Sequence, residues 1–222
     1  MNLDHLGDAY DFWKRAMLNV VRKPGAALKI MPMVTGKTWR EQEFSTYETV
    51  LGARTDELVS TKFDRKKGFP PRCSTGARKW QEYDLFLDPD TGIENNKDKE
   101  PSNKSPGPSN KRLGSGNNSP KSLKYLKHSE LEKLLGKTNV VAVYQHAPRE
   151  GNGWLKTKLA NLQEDADLGK HHIKAVGYEA GRVGMIFVTK NGARSKEIEK
   201  ELKKLAGPTA KERVFSSKGK TR

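Results

Sequence analysis

Two stretches of the chain put reactive side chains where an apolar run ends. Residues 83–96, YDLFLDPDTGIENN, pass from greasy side chains into Asp88, Asp90 and Glu94, three carboxylates within seven residues. Residues 143–149, VYQHAPR, place Gln145, His146 and Arg149 directly behind a second apolar run. If the two runs are neighbouring strands, their ends bring carboxylates, an imidazole and a guanidinium together. Asp88, Asp90 and Glu94 with His146 would then suit one or two Mg2+ ions that activate water against a phosphodiester. The same groups could instead orient a substrate's amino group and accept a proton from it. The competing reading of Asp88-Pro89-Asp90-Thr91-Gly92 is a plain turn, since Asp, Pro and Gly are the usual turn formers. Against it stands the second stretch, because an amide, an imidazole and a guanidinium behind a buried strand are costly unless they meet polar partners. The pair His171-His172 reads as a solvated strand entrance. Other site chemistries lack their signatures: one cysteine, Cys73, cannot build a zinc site, and no phosphate-binding P-loop is present.

The elements that must hold these ends follow from hydrophobic spacing. Phe12, Trp13, Met17, Val20 and Val21 recur at helical intervals over 8–22, with Asp8 or Asp11 as the start and Pro24-Gly25 as the stop. Residues 26–33 read as a strand ending at Pro32. Trp39, Phe44, Tyr47, Val50 and Leu51 predict a helix over 39–51 that Gly52 terminates. A strand is expected over 57–63 and another over 83–87. Ser129 and Glu132 form a capping box ahead of Leu131, Leu134 and Leu135, and Val140–Tyr144 is apolar on both faces, as a central parallel strand would be. Trp154, Leu155, Leu159 and Leu162 mark a further helix. Residues 172–178 and 183–189, separated only by EAGR, can join only as antiparallel neighbours. A last helix is expected over 195–205 with Ser195 as its N-cap, and residues from Pro208 on read as a frayed basic tail.

Helices alternating with strands predict a three-layer, Rossmann-like α/β domain, with a mostly parallel sheet and a C-terminal antiparallel hairpin. Its halves are 1–94 and 128–207, followed by the tail 208–222. Between the halves, 95–127 is an Asn/Ser/Pro/Lys-rich insertion whose composition cannot recover its ordering entropy by burial, which predicts a disordered loop. Ligands of such sheets bind beyond the carboxyl ends of the strands, so three tips should converge: 32–35, 88–94 and 144–149.

The chain of 222 residues carries 42 Lys and Arg against 27 Asp and Glu, a formal charge of +15. This excess favours a polyanionic partner, and nucleic acid is the expected one. The insertion contributes +6, from eight basic and two acidic residues, and residues 190–222 contribute +7, from eleven and four. No stretch approaches the ~20 apolar residues that span a bilayer, and one cysteine fits a reducing compartment, so a cytoplasmic, non-membrane protein is expected. Oligomeric state leaves no trace in the sequence.

The combination of Gly7-Asp8-Ala9-Tyr10-Asp11-Phe12-Trp13-Lys14, LFLDPDTGIE at 85–94 and VYQHAPR at 143–149 resembles a family of uncharacterised bacterial proteins. That family shares a GD-x-YDF-x-K opening, an LDPD-[NT]-G-[LI]-E strand end and a later YQH-x-x-R. More distantly, the layout is similar to the ribosomal-RNA adenine-N6 methyltransferases, whose fourth strand ends in Asp-Pro-Pro-Tyr and whose early helix carries a polar-plus-lysine pattern. The resemblance implies a methyltransferase-like fold, S-adenosylmethionine as cofactor, and methylation of an amino group on nucleic acid. It further implies that the Asp88 carboxylate and the Pro89 carbonyl take hydrogen bonds from the target amine; with Asp90 and His146, from the reading of the strand ends, they make up the expected catalytic set. Asp8, Lys14, Glu94, Gln145 and Arg149 would contact substrate. Two features depart from that pattern: Asp90-Thr91 replaces Pro-Tyr, removing the aromatic that would stack on a flipped base, and MPMVTGKTW offers Gly36 alone after the first strand. A metal-dependent phosphodiesterase and a non-catalytic nucleic-acid-binding module are the alternatives.

Overall fold

The computed structural model describes residues 6–22, 27–33, 39–54, 56–59, 83–89, 92–94, 125–147, 153–165, 168 and 172–217. Helix α1 (Ala9–Val21) starts at Asp8, whose side chain accepts from the amides of Tyr10 and Asp11. Strand β1 (Ala27–Pro32) follows, then α2 (Glu41–Leu51), closed by Gly52 in the left-handed conformation. Strand β2 (Tyr83–Asp88) is buried along its whole length. Two short strands, β3 (Gly92–Ile93) and β4 (Tyr125–Leu126), pair in parallel beside the main sheet. Leu126 is buried, so the end of the segment expected to be loop contributes to the core. Helix α3 (His128–Leu135) leads into β5 (Val140–His146), then α4 (Trp154–Glu164). The hairpin β6 (Lys174–Ala180) and β7 (Val183–Thr189) precedes α5 (Gly192–Ala206), and β8 (Val214–Ser216) ends the described chain.

The sheet order is β1-β2-β5-β7-β6-β8. β1, β2 and β5 pair in parallel, whereas the β5–β7, β7–β6 and β6–β8 pairs are antiparallel. Four of the six strands therefore run the same way, in a mixed sheet. Alternation along the strands divides the core into two faces. Leu28, Ile30, Phe86, Ala142 and Phe187 pack with α1, α2 and α5. Met31, Leu85, Leu87, Val141 and Val143 pack with α3 and α4. The three layers and the hairpin are as expected.

Residues 57–59 meet the outer edge of β1: Ile30 N–H donates to the Glu57 carbonyl and Val59 N–H to the Ile30 carbonyl, each at 2.8 Å. The part of the 57–63 strand that can be described is this bridge at Leu58; 60–63 lie outside the described residues. The chain thus steps outward from β1 to Leu58 and returns to β2 on the inner side of β1. The strand order reverses between β1 and β2, and such a reversal opens a crevice at the carboxyl ends of the two strands.

Four local readings need correction. Phe12, counted on the core face of α1, is 57% exposed; the buried side of the helix is made by Met17, Leu18, Val20 and Val21 with Asp11 and Lys14, and Trp13 and Ala16 pack against it. Helix α3 begins two residues early: Lys127 N–H donates to Glu130 Oε2 at 2.9 Å, so the cap pair is Lys127 and Glu130, not Ser129 and Glu132. Helix α5 is capped by Asn191, whose Oδ1 accepts from the Ala193 and Arg194 amides, and Ser195 lies buried inside the helix. The tail is not frayed through 217, since Val214–Ser216 adds to the edge of β6.

Candidate functional site

The carboxyl ends of β1, β2 and β5 lie side by side. Pro32 aligns with Asp88, Met33 N–H donates to the Asp88 carbonyl at 3.2 Å, and Leu87 aligns with Val143, which sets Asp88 beside Tyr144 at the next step. Asp88 therefore sits at the reversal, on the face that α1 and α2 cover. Helix α1 begins at this edge, and its first turns bring Asp11 and Lys14 against Asp88.

These side chains form a buried ionic cluster. Lys14 Nζ donates to Asp11 Oδ1 and Asp88 Oδ2, both at 2.8 Å, and the Tyr47 hydroxyl donates to the same Asp88 oxygen at 2.6 Å. Lys14 Nζ also lies 4.2 Å from the centroid of the Tyr144 ring, a cation–π contact on its remaining side. Asp11 Oδ2 accepts from Gly7 N–H at 2.8 Å, tying the turn before α1 to the cluster. Asp88 is 1% exposed, and its Oδ1 is left out of both the lysine and the tyrosine bonds. Removing such charges from water costs several kcal/mol per ion unless they are paired this closely.

Proton affinities follow from burial and charge. Burial alone would lower Lys14, but the Asp88 and Asp11 carboxylates outweigh it and hold the ammonium above its ordinary range. Burial raises Asp11, with Lys14 opposing it and Asp88 adding to it. Burial and then the charge of Asp88 push both phenols up, Tyr47 well above its usual value.

The pleat separates residues that are adjacent in YQHAPR. His146 falls on the Asp88 face with Tyr144, the two rings 4.9 Å apart and nearly perpendicular. Gln145 points to the opposite face, where its Oε1 accepts from Ile93 N–H at 2.7 Å. Gly92 makes that approach possible: at φ +99°, a Cβ there would lie 2.3 Å from Gln145 Cδ. Glu94 also faces away from Asp88, since its Oε1 accepts from His128 N–H at 2.8 Å. His128 in turn bonds Asp165 through Nδ1 at 2.6 Å and the Glu94 carbonyl through Nε2 at 3.1 Å. Lys158 Nζ donates to the Ile93 carbonyl at 2.8 Å. Gln145 and Glu94 thus anchor the chain behind β2.

Asp8 serves as the α1 cap, and Lys14 is enclosed by the cluster. Pro89 is buried next to Asp88, whereas Asp90 and Arg149 lie outside the described residues. Sequence reasoning missed Asp11, the second carboxylate on Lys14, and Tyr47, which donates to Asp88. The i, i+3 spacing of Asp11 and Lys14 is a signal for the first; none marks the second.

Among the described residues, no group of three His, Cys, Asp or Glu could hold a metal ion. Asp88 already accepts from an ammonium and a phenol, and Glu94 is turned to α3, so the metal-centred alternative loses two of its three acids. No helix among the described residues is long and apolar enough to cross a membrane. Compared with family models, curated proteins and solved structures, the chain gives no match.

Proposed function

We propose that this chain is a nucleic-acid-directed enzyme of methyltransferase-like α/β architecture that receives an exocyclic amino group at the crevice between β1 and β2. The observation that carries the reading is the placement of Asp88: it ends the strand at the order reversal, and Lys14 and Tyr47 fix one carboxylate oxygen while the other takes no part in those bonds. The lone pair of a ring-bound amine is delocalised into the ring. Directing its two N–H bonds at fixed acceptors, Asp88 Oδ1 and the Pro89 carbonyl, holds the nitrogen in the geometry where that pair can attack an electrophile. Lys14 and Tyr47 set the acceptor before substrate arrives, so no reorganisation is needed at the moment of reaction. The net charge of +15 supports a polyanionic substrate.

S-adenosylmethionine, as the methyl source, is the cofactor this reading requires. One described feature suits a ligand at the start of α2: the buried Trp39 indole N–H, packed edge-on against Tyr47, has no hydrogen-bond partner. The described residues place no carboxylate at the end of β1 to take ribose hydroxyls, so they do not by themselves make up a donor site, and the chemistry they supply is on the amine side. Titration calorimetry with S-adenosylmethionine, with and without a short single-stranded oligonucleotide, tests the reading. Saturable heat and methyl incorporation that Asp88→Asn removes are expected. Absence of heat at millimolar ligand in both titrations would defeat it.

A further inference from the structure

The Asp-Pro-Asp-Thr segment lacks an aromatic at the position after Asp88-Pro89 where a base would stack, yet the crevice is not short of rings. Tyr10 and Trp13 stand three residues apart on one face of α1, the spacing that makes helix side chains neighbours. Tyr10 is 44% exposed. Trp13 is half-buried and reaches over the sheet, edge-on to Tyr144 with centroids 6.1 Å apart and stacked on Tyr178 at 6.3 Å. Tyr144 continues the row to His146 at 4.9 Å. Tyr10 lies in the first turn of α1, next to Asp11 and one turn before Lys14, so it stands at the same edge as the ionic cluster. In a chain so rich in lysine, an exposed tyrosine one helical turn from this row is suited to a flat ring.

We infer that Tyr10 and Trp13 form a stacking subsite for one unpaired nucleobase of a single-stranded nucleic acid, and that the nearby carboxylates favour a base bearing an exocyclic amino group. This rests on the nucleic-acid reading above and adds to it the surface that grips the base. One feature argues for a base over a phosphate: every nucleobase has a π-face that an aromatic platform accepts, and a phosphate has none. An amino group can donate to Asp88 Oδ1, the oxygen outside the Lys14 and Tyr47 bonds, whereas a carbonyl of uracil in the same place cannot.

The test uses the full-length protein and 5′-fluorescein-labelled 12-nucleotide RNA and DNA oligomers, each carrying one 2-aminopurine in a uridine or thymidine background. Anisotropy reads binding, and 2-aminopurine emission reads stacking. Wild type and Tyr10→Phe are expected to quench the emission severalfold. Tyr10→Ala should weaken binding about tenfold, the loss of one stacked base, and abolish the quench; Trp13→Leu should do the same if it keeps the wild-type melting temperature. Replacing 2-aminopurine by uracil should weaken binding by a similar factor. If Tyr10→Ala binds as wild type does and the quench is absent or persists in the variant, the stacking subsite is overturned and the nucleic-acid reading stands. If no oligomer binds at 50 mM salt, both fall.

Discussion

Lys14 is the residue on which the site's electrostatics turn. It is the one cation within hydrogen-bonding distance of Asp11 and Asp88 among the described residues, and all three are buried. Lys14→Met keeps the volume and removes the charge, leaving two carboxylates facing one another away from water. Breaking a buried pair on one side costs about 3–5 kcal/mol, and chemical denaturation should show a loss of that size near neutral pH. The folded protein holds the Lys14 proton more tightly than the unfolded chain does. Its contribution is therefore complete below the ordinary lysine range and fades only as pH climbs through the higher folded value. Asp11 is also raised, so its share favours the fold below the ordinary carboxylate range and is lost as pH rises through its folded value. Lys14→Met should consequently lose the alkaline limb and regain stability on acidification, as the two acids take up protons. Lys14→Met with Asp88→Asn should recover part of the loss at pH 7, and a double variant no more stable than the single one would show that Asp88 is not the partner that matters. Tyr47→Phe removes one hydrogen bond to a charged group and should cost about 1.5–3 kcal/mol.

At the scale of elements, the position of Asp88 depends on the short run behind it. Gly92, Ile93 and Glu94 are pinned by Gln145, Lys158 and the start of α3, so the chain leaving β2 has little freedom. Gly92→Ala would meet Gln145 and force a side chain into the positive-φ region, for an expected cost of about 1–3 kcal/mol, read as a lower denaturation midpoint at unchanged slope. Adding Gln145→Ala removes the collision but leaves the Ile93 N–H unpaired, so recovery should be partial. Much of this scaffold is readable in the sequence where a local period exists. The spacing of Met17, Val20 and Val21 marks α1, and the unbroken apolar run of β5 marks a buried strand. What the period does not carry is contact between distant segments. Val214–Ser216 has no pattern of its own and is a strand because the edge of β6 accepts it. The Tyr47–Asp88 bond joins residues 41 apart, and nothing near either one announces the other. Gln145 and His146 are adjacent in sequence and opposite in space, because a strand alternates faces where a loop would not.

Over the whole molecule, the proposed nucleic-acid partner needs a path for its phosphates away from the buried acids of the crevice. Helix α5 starts at the amino edge of the sheet, where Arg194 Nη2 donates to the Val21 carbonyl at 2.8 Å and to Asp84 Oδ2 at 3.1 Å. From there it runs back across the sheet with Ile198 and Leu202 buried and Lys196, Lys200 and Lys204 exposed. Those lysines recur every fourth residue and so form one stripe, with exposed Lys211 and Arg213 just beyond it. A stripe of that kind contacts backbone charge without reading sequence, and each phosphate it neutralises releases a counterion. Substituting Lys196, Lys200 and Lys204 by Gln should therefore lower affinity for RNA and DNA alike and flatten the slope of log affinity against log salt by about 2, three contacts at about 0.7 each for single strands. Tyr10→Ala should lower affinity while leaving that slope unchanged, since stacking releases no counterions. Fluorescence anisotropy at several salt concentrations separates the two. If the lysine variant keeps the wild-type slope, the phosphates follow another path over the surface and α5 is an ordinary solvated helix.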